Sequence, residues 1–530
     1  MGINIMFKNG YFSRFLTTVL IVLLAASALA AQEYQANWAS LDSRPTPQWF
    51  LDAKFGIFIH WGVYSVPAWG AEKAYSEWYW RHTFNDDGTL QDNEWGRFHK
   101  ANYGASLPYT AFAPMFKCEM FDPDEWADVF ARAGAKYVVL TSKHHDGFCL
   151  WPSKHANKTW GMLWNSVDTG PKRDLLGDLT EAVRDTGLKM GFYYSLYEWF
   201  NPLWRLDKSR YVAEHMAPQF MDVVMRYKPS IIFSDGEWDL PDTQWRSPEL
   251  LAWLFNESPC KNEVAINDRW GKDIRHKHGG YYTTEYGAGL QESTHPWEEN
   301  RGIGYSFGYN RNEPLSNYRS TEQLIFMLVD LVSRGGNLLL DVGPTADGRI
   351  PMIMQSRLIE MGDWLAVNGE AIYATRPWSQ NCQWSPGAMP AQDFGQHKTK
   401  YDVMDLVRKS QGKASIQAFF TSKPDLLYAI TPGWPGTELV LRNVRPKDGA
   451  AITMLGAQGM LSWRVNGNNL VIDVSTITAD KLPCQWAYAF KIPVKPPVKE
   501  PKPVERKPQE EEPEDDIERI ILDSLKDIFK

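Results

Sequence analysis

Short apolar runs alternate with amphipathic stretches from about residue 45 to residue 375. Six runs have the length and the β-branched and aromatic content of strands: residues 54–62, 136–148, 189–196, 230–238, 263–271 and 337–344. Between them, apolar residues recur at intervals of three and four, as in residues 124–135 and 178–188, which predicts helices. This alternation predicts a parallel sheet covered on both faces. Two further strands near residues 65–80 and 281–286 would complete an α/β fold, the (β/α)8-like (TIM) barrel; a doubly wound open sheet is the alternative.

The pattern changes after residue 375. Over residues 376–494, short strands with alternating apolar positions are separated by Gly, Pro and Asn turns, including Asn466-Gly467. This pattern is typical of an antiparallel β-sandwich. We therefore expect a barrel over residues 31–375 and a C-terminal antiparallel β-sandwich over residues 376–494.

The end of the chain lacks the pattern of a folded core. Residues 495–515 are rich in Pro and charged residues, which predicts a disordered linker. Residues 516–530 predict a short amphipathic helix. Its apolar face consists of Ile517, Ile520, Ile521, Leu525 and Ile528. Because so short a helix is marginal alone in water, two interpretations stay open: docking on a partner or on a second copy of the chain, or a frayed tail.

The N-terminus has the organisation of a secretory signal peptide. Lys8 and Arg14 precede an apolar stretch that ends in Ala28-Leu29-Ala30, a small-residue pattern typical of signal cleavage. The stretch is short for a membrane span of ~20 residues, so cleavage near Ala30 is favoured over an uncleaved anchor. We therefore predict a signal peptide over residues 1–30 and a secreted or periplasmic protein, with no stable membrane insertion after cleavage.

Composition narrows the choice of partners. The net charge of −8 gives no basic surface for nucleic acid. The 24 Trp, 23 Tyr and 25 Phe suit a protein that grips sugars, although a large core uses aromatic rings too. Five cysteines are too few for a disulfide scaffold. A bridge between Cys382 and Cys484 stays open, and the odd number leaves at least one free thiol.

Polar and aromatic side chains follow nearly all of the predicted strands. They are His60, His144, His145, Asp146, Tyr193, Asp235, Arg269 and, after a further short run, Glu285. The carboxyl ends of barrel strands surround the active site, so we expect these side chains in one pocket. Carboxylates among aromatic and neutral hydrogen-bonding groups fit glycoside hydrolysis, which needs one carboxylate as nucleophile or base and another as acid.

Other chemistries have weaker support. The chain has no Gly-rich phosphate loop at a strand–helix junction and no His-Glu-x-x-His pair. Its Gly-x-Ser-x-Gly match, at residues 304–308, follows none of the predicted strands, so it does not indicate a serine hydrolase elbow. His144, His145 and Asp146 could reach one metal ion only in a loop, because neighbours in a strand point to opposite faces. We therefore predict neither a metal nor an organic cofactor.

Several long motifs in one order resemble those of the glycoside hydrolase family 29 α-L-fucosidases. They read FGIFIHWGVYSVPAW (55–69), SEWYW (76–80), FSDGEW (233–238), NDRWG (267–271) and SRGGNLLLDVGPTADG (333–348). The resemblance covers roughly residues 40–375 and continues more weakly through the predicted sandwich. It implies a barrel followed by a sandwich. It also implies an exo-acting, retaining enzyme that releases terminal L-fucose from oligosaccharides or glycoconjugates without cofactor or metal.

The resemblance also implies roles for single residues. Asp235 would be the nucleophile, with Glu237 only its neighbour. The residues that contact fucose would be His60, Glu77, Trp78, His144, His145, Tyr193, Arg269 and Phe307, the last against the methyl side of the sugar. Phe233 stands where many members carry Trp, so its ring could pack near the sugar without donating an N–H.

The general acid/base, whose position varies among members, has two candidates, Glu285 and Glu298. We expect Glu285, because it follows a strand-like run where the seventh barrel strand should end, whereas Glu298 lies in a polar stretch that we expect to be mobile. Retention implies that the two carboxyl groups lie about 5–5.5 Å apart. As an acid, Glu285 should have its pKa raised by burial or by the charge of Asp235.

Other functions remain compatible with these motifs. The same pocket could release L-galactose, which differs from L-fucose by one hydroxyl at C6. A secreted, catalytically inactive protein could use the pocket to bind fucose, although the presence of both Asp235 and Glu285 argues against it. A metal-dependent hydrolase has the weakest support.

Overall fold

The computed structural model describes residues 33–495, except residues 292, 391, 393 and 396. The predicted signal peptide, and the predicted linker and C-terminal helix from residue 496 onward, lie outside the described residues. Among the helices that are described, none is long and apolar enough to cross a membrane.

Eight strands form the first sheet. They are β1 (Phe55–Ile59), β2 (Tyr137–Lys143), β3 (Lys189–Ser195), β4 (Ile231–Asp235), β5 (Ala265–Ile266), β6 (Tyr282–Glu285), β7 (Trp297–Gly302) and β8 (Asn337–Val342). The order is β5-β4-β3-β2-β1-β8-β7-β6, and every neighbouring pair is parallel. Except for β5 and β6, which form the two ends of the sheet, each strand pairs with the next one along the chain, and β8 returns to β1. The predicted (β/α)8-like barrel is therefore confirmed.

The ring of strands has one open seam, between β5 and β6, which form no ladder with each other in the described part of the chain. Asp268 crosses the seam with its side chain: Oδ1 accepts bonds from Thr283 N at 3.1 Å and from Thr283 Oγ1 at 2.7 Å. Arg269 Nε donates to the same hydroxyl at 3.0 Å. Side chains thus do much of the joining that a backbone ladder does elsewhere in the barrel.

Helices connect the strands. The α-helices span Trp38–Leu41, Gln48–Ala53, Tyr79–Thr83, Glu94–Tyr103, Pro123–Arg132, Lys154–Trp160, Leu175–Asp185, Pro202–Leu206, Lys208–Tyr211, Ala217–Tyr227, Asp242–Trp245, Ser247–Asn256, Thr321–Ser333, Met352–Asn368 and Val403–Val407. The helices predicted within residues 124–135 and 178–188 are present as Pro123–Arg132 and Leu175–Asp185. Each begins at an aspartate whose side chain accepts a backbone N–H of the first turn, Asp122 in one and Asp174 in the other.

Two strand predictions need correction. Residues 65–80 hold no strand; short 3-10 helices, Val63–Ser65 and Ser76–Trp78, lie there instead. The missing strand is β7, which we expected to be a mobile polar loop. Its residues are all buried, and Glu299 accepts bonds from two backbone N–H groups, those of Gly287 and Gly289. Hydrophobic periodicity cannot reveal a strand whose buried side chains are polar. Because residues 65–80 hold no strand, Glu285 ends the sixth strand rather than the seventh.

Side chains of the barrel strands alternate between two apolar layers. The outward layer packs against the helices and includes Ile57, Leu140, Phe192, Ile232 and Leu340. The inward layer fills the barrel and includes Phe58, Val139, Tyr193, Phe233 and Leu339. Residues that continue an inward row past this layer therefore face the space at the carboxyl ends of the strands.

Two antiparallel sheets follow the barrel. Their strands are β9 (Arg376–Trp384), β10 (Ile416–Lys423), β11 (Leu426–Pro432), β12 (Glu438–Arg442), β13 (Thr453–Met454), β14 (Trp463–Asn466), β15 (Asn469–Asp473) and β16 (Ala487–Pro493). One sheet has the order β13-β16-β11-β10-β9 and the other β12-β15-β14. Apolar residues of both sheets share one core, among them Phe420, Leu441, Ile472 and Phe490. The predicted β-sandwich is confirmed.

All five cysteines are free thiols. Cys484 Sγ lies 3.4 Å from the carbonyl oxygen of Ala487 and 3.3 Å from Asn368 Nδ2. A bridge between Cys382 and Cys484, which the sequence left open, is therefore not present.

Glu298 lies inside the barrel near the amino ends of the strands. It is the second residue of β7, and its carboxyl accepts a bond from the hydroxyl of Tyr137, the first residue of β2. Burial outweighs this hydrogen bond and raises the pKa of Glu298 to about 8. The side chain is therefore a neutral carboxylic acid at pH 7.

We predict that Glu298→Gln becomes more stable relative to the wild type as the pH rises from about 5 to 8. The unfolded glutamate releases its proton near its ordinary value of 4.5, whereas the folded one releases it at about 8. The wild type therefore loses up to about 1.4 kcal/mol of unfolding free energy per pH unit in this window, and glutamine does not titrate. Denaturant unfolding of both proteins at the two pH values measures the difference. A difference that does not change with pH would contradict a buried carboxylic acid.

Candidate active site

Four polar side chains extend the inward rows of the barrel by two residues. The pairs are Phe58 and His60, Phe233 and Asp235, Thr283 and Glu285, and Leu339 and Asp341. Every second residue of a strand faces the same side, so these polar groups lie directly above the apolar filling. The arrangement brings two carboxylates and a histidine of the sequence prediction together, and it adds Asp341.

Asp235 ends β4 and meets two arginines. Its Oδ1 lies 2.9 Å from Arg269 Nη1 and 3.6 Å from Arg275 Nη2. Its Oδ2 accepts a bond from the hydroxyl of Tyr193 at 2.9 Å and lies 3.6 Å from His145 Nε2. Burial favours the neutral acid, but the cations, chiefly Arg269, outweigh burial and hold the pKa of Asp235 well below its ordinary range. Asp235 is therefore a carboxylate.

Glu285 ends β6 and meets the same guanidinium. Its Oε2 lies 3.3 Å from Arg269 Nη2, and its Oε1 accepts a bond from the hydroxyl of Tyr75 at 2.9 Å. His397 Nδ1 lies 3.6 Å from Oε1. Burial raises the pKa of Glu285, but Arg269 and His397 together lower it below the ordinary value. The raised pKa expected from the sequence is therefore wrong, because one arginine compensates both carboxylates.

The chain turns sharply after Asp235. Gly236 has a φ of +72°, a conformation that L side chains rarely adopt. Glu237 is buried beyond the turn, where its Oε1 lies 2.6 Å from Arg275 Nε. Glu237 does not face Glu285 as a catalytic partner; it holds the arginine that stands beside Asp235.

The three histidines are buried, and burial lowers the pKa of all three, to about 3 for His60, to about 4 for His145 and well below the ordinary value for His144. His60 meets Asp341 through Nδ1, at 2.6 Å. His144 Nδ1 is buried without a hydrogen-bond partner among the described residues. His144 and His145 follow the end of β2, so both rings reach the pocket, with centroids 4.2 Å apart.

Ser195 determines which nitrogen of His145 carries the hydrogen. The hydroxyl of Ser195 donates to the carbonyl oxygen of Tyr197 at 2.6 Å, so it accepts from His145 Nδ1 at 2.7 Å. The neutral ring therefore has its lone pair at Nε2. Asp146 turns away from the histidines, since its Oδ2 accepts a hydrogen bond from the hydroxyl of Tyr109 at 2.7 Å. Among the described residues, no three His, Cys, Asp or Glu side chains are grouped to hold a metal ion.

Aromatic rings form the walls of the pocket. Phe307 stacks on His60 with ring centroids 4.8 Å apart. Phe233 lies beneath the guanidinium of Arg269, 5.0 Å from ring centroid to Cζ. Trp78 is half-buried with its ring 5.6 Å from that of His145. Glu77 is buried and accepts the N–H of Gly308 at 2.8 Å, and burial raises the pKa of Glu77 to about 7.

Comparison with known proteins identifies the family. A family model described as alpha-L-fucosidase matches residues 21–370. A second, described as alpha-L-fucosidase C-terminal domain, matches residues 412–493. The chain belongs to the α-L-fucosidase family. The resemblance to glycoside hydrolase family 29 is thereby confirmed, and with it the class of enzyme, a glycoside hydrolase of the α-L-fucosidase type.

The match between this α-L-fucosidase family member and its relatives covers nearly the whole length of each relative. The tissue alpha-L-fucosidase of Rattus norvegicus is 42% identical over 487 residues, 89% of this chain and 96% of the relative. That of Homo sapiens is 42% identical over 489 residues, again 89% of this chain and 96% of the relative. The crystal structure of Thermotoga maritima alpha-fucosidase has a TM-score of 0.70 at 35% identity, covering 87% of this chain and 100% of that chain.

Four residues of the candidate pocket were not found from the sequence: Tyr75, Arg275, Asp341 and His397. Asp341 had a signal, because it follows Leu339 by two positions in a buried strand, as Asp235 follows Phe233. The other three lie in connecting segments far along the chain from their partners. Tyr75, for example, is 210 positions from Glu285. No local pattern indicates such contacts.

We predict that Gly236→Ala impairs the candidate pocket. A Cβ at Gly236 would lie 2.6 Å from Tyr197 Cδ1 and 3.0 Å from Ser195 Oγ, at a strained φ. The chain would have to shift to relieve these contacts, and the shift would displace Asp235 and Ser195, the serine that holds His145. We expect a loss of about 1–3 kcal/mol in unfolding free energy and of about 10- to 100-fold in kcat/KM on a nitrophenyl fucoside.

Gly88→Ala is the matched control for this variant. Gly88 has a φ of +84° with no atom within 4 Å of its Cβ position, so the variant tests backbone strain without crowding. It should keep wild-type kcat/KM. Equal losses of activity in both variants would contradict the crowding argument.

Proposed function

We propose that this pocket hydrolyses terminal α-L-fucosyl residues of oligosaccharides and glycoconjugates with retention of configuration. In this proposal Asp235 is the nucleophile and Glu285 the general acid/base. The observation that carries it is the placement of both carboxyl groups on one guanidinium, that of Arg269, at 2.9 and 3.3 Å. Retaining glycosidases need two carboxyl groups in one site, one to attack and one to transfer protons.

The reaction has two steps. Asp235 attacks the anomeric carbon and forms a fucosyl ester, while Glu285 gives its proton to the oxygen of the leaving glycan. Glu285, now a carboxylate, then takes a proton from water. The water oxygen attacks the anomeric carbon, the ester breaks, and L-fucose leaves with its original configuration.

The charge state of Asp235 suits a nucleophile. Arg269 and Arg275 lower the pKa of its carboxyl, and the hydroxyl of Tyr193 donates to Oδ2 at 2.9 Å. Phe233 supports this arrangement from below, since its ring lies against the guanidinium of Arg269. Phe233 thus acts through an arginine, without the N–H that a tryptophan would offer to the sugar.

Glu285 is a better candidate for the acid/base than Glu298. Glu285 stands at the carboxyl end of β6, where it shares Arg269 with Asp235. Glu298 stands near the amino end of β7 and is hydrogen-bonded to Tyr137 inside the barrel. Active sites of such barrels form at the carboxyl ends of the strands.

The remaining side chains suit the recognition of a neutral sugar. His145 presents an acceptor at Nε2, and His144 has a buried Nδ1 without a partner among the described residues. A hydroxyl of the sugar can donate a hydrogen bond to each of these two nitrogen atoms. His60 and Glu77 add polar contacts, Trp78 closes one side, and the ring of Phe307 offers an apolar surface to the methyl group of fucose.

Solved relatives support the choice of sugar. The Thermotoga maritima alpha-fucosidase has been solved in complex with fucose and in complex with a mechanism-based inhibitor. We also infer from Lys8, Arg14 and the cleavage pattern at Ala30 that the enzyme is exported and acts on glycans outside the cytoplasm.

We predict that Asp235→Gly loses at least ~10³-fold in kcat, because no group remains to form the ester. Azide should restore turnover of a nitrophenyl α-L-fucoside and give the β-configured fucosyl azide, since azide attacks from the side that the carboxylate vacates. Product analysis by NMR measures the configuration. Asp86→Gly, at an exposed aspartate, is the control and should keep its activity. Wild-type activity in Asp235→Gly would rule out its role as nucleophile.

We predict that Glu285→Ala gives the opposite azide product, the α-configured fucosyl azide, because azide attacks the ester in place of water. Only the protonated acid can assist a poor leaving group, and the pKa of Glu285 is lowered. In the wild type, kcat/KM for a fucosyl disaccharide should therefore fall as the pH rises through an acidic value, with the falling limb on the acid side of neutrality. Glu285→Ala should lack that limb.

Glu298→Ala is the comparison that decides between the two candidates. It should give no fucosyl azide and should keep the falling limb of kcat/KM. An α-configured azide from Glu298→Ala, with none from Glu285→Ala, would reassign the acid/base.

A further inference from the structure

A segment between β9 and β10 reaches across to the end of β6. We call residues 394–395 and 397–401 the clamp segment. Its backbone N–H groups bond to the carbonyl oxygens of Glu285 and the two residues after it: Lys398 to Glu285 at 3.0 Å, Thr399 to Tyr286 at 3.0 Å and Gly395 to Gly287 at 3.2 Å. His397 pairs with Glu285 as a parallel bridge. A part of the chain beyond the barrel thus holds Glu285, the residue proposed as acid/base.

The clamp segment occupies the seam edge of β6. The N–H groups of Tyr282 and Tyr286 bond to residues of the β7 side, Pro296 and Asn300. Successive residues of a strand direct their backbone groups to alternate edges, so the carbonyl of Glu285 points to the other edge, where the barrel is open. At the level of Glu285, the clamp segment therefore takes the place of a neighbouring strand.

One arginine anchors both the clamp segment and the chain after β6. Arg334 donates to the carbonyl oxygens of Ala288 and Leu290 at 2.6 Å each. Its guanidinium lies 5.0 Å from the ring of Phe394, which packs on Tyr401 at 5.1 Å. This anchoring holds backbone that would otherwise relax, because Tyr286 and Ala288 both have left-handed φ values, 50° and 70°.

His397 is the side chain of the clamp segment that faces the acid/base. Its Nδ1 lies 3.6 Å from Glu285 Oε1, with the imidazole 52% exposed at the mouth of the pocket. The other charged or titratable groups around Glu285 are Arg269, Arg275, Asp235, Glu77, His145, Tyr75 and Lys398, the last 4.1 Å above the ring of Tyr75. Arginine keeps its charge at every relevant pH, so His397 is a neighbour whose charge changes in the acidic range.

We propose that the clamp segment completes the active site and that His397 is a positioning residue, which holds Glu285 as a carboxylate while His397 is protonated. The proposal rests on the proposed role of Glu285 as acid/base. A cation beside Glu285 favours the form that accepts a proton from water in the second step. Without that cation Glu285 keeps its proton to higher pH, so at acidic pH a smaller fraction of the enzyme carries the carboxylate.

Two substitutions at His397 separate charge from shape. His397→Gln removes the cation and should move the falling limb of kcat/KM up by about half a pH unit, as expected for a partly exposed ion pair. At an acidic pH near this limb, the variant should also slow the step that releases fucose, because less of Glu285 is then a carboxylate. A burst of nitrophenol followed by a lower steady rate would show this. His397→Lys keeps a cation at all pH values and should leave the limb at or below the wild-type position.

Controls distinguish the failure of this inference from the failure of the proposed function. His278→Gln removes another histidine paired with a carboxylate, Asp42 at 2.7 Å, and should leave the limb in place. In a Glu285→Ala background, His397→Gln should have no further effect on the pH profile. The azide product of Glu285→Ala alone tests the role of Glu285, whatever His397 does.

Each outcome has a definite meaning. Opposite behaviour of the Gln and Lys variants, lost in the Glu285→Ala background, supports the inference. Equal pH profiles in both variants, or a shift that persists without Glu285, overturns it. Thermal unfolding of each variant confirms that the fold is kept, since the exposed imidazole can be replaced without opening the core.

Discussion

The guanidinium of Arg269 lies between Asp235 and Glu285, and the rest of the site is arranged around that contact. Two carboxyl groups close together in a buried pocket repel each other, and one of them would ordinarily keep its proton. A permanently charged arginine removes this constraint because it serves both at once. The ring of Phe233 supports the guanidinium from below, and the hydroxyl of Thr283 accepts a hydrogen bond from Arg269 Nε. Hence the residues nearest to the arginine set the geometry of both carboxylates.

The pocket divides into a charged side and a neutral side. Arginines and carboxylates surround the place where a bond would break, whereas buried neutral histidines lie where hydroxyls would be recognised. Burial creates both conditions: it strengthens the ion pairs, and it lowers the pKa of the imidazoles until they become acceptors. A neutral sugar can therefore be bound by acceptors and rings, while the charges are kept for the reaction.

Sequence reasoning succeeded where a residue inherits its direction from a strand. Phe58, Phe233 and Leu339 fill the barrel, so His60, Asp235 and Asp341, two positions later, had to face the same space. Sequence reasoning failed where the fold is built from polar contacts. The strand β7 has buried glutamates in place of an apolar run, and its side chains reveal their partners only in three dimensions. The prediction of a raised pKa for Glu285 failed for the same reason, because Arg269 and His397, which lower that pKa, reach Glu285 from other segments.

The open seam also separates the two carboxylates, Asp235 and Glu285, by how firmly the fold fixes them. Asp235 belongs to a continuous ladder, in which it pairs with Ser195 of β3, so an inserted or deleted residue there would shift a whole row of side chains. Glu285 stands at an edge whose neighbours are a few side chains and a segment from beyond the barrel. Changes in loop length on either side of that edge leave Asp235 in place. The carboxylate at the seam can therefore change position along the chain while the strand ladder that holds Asp235 stays unchanged.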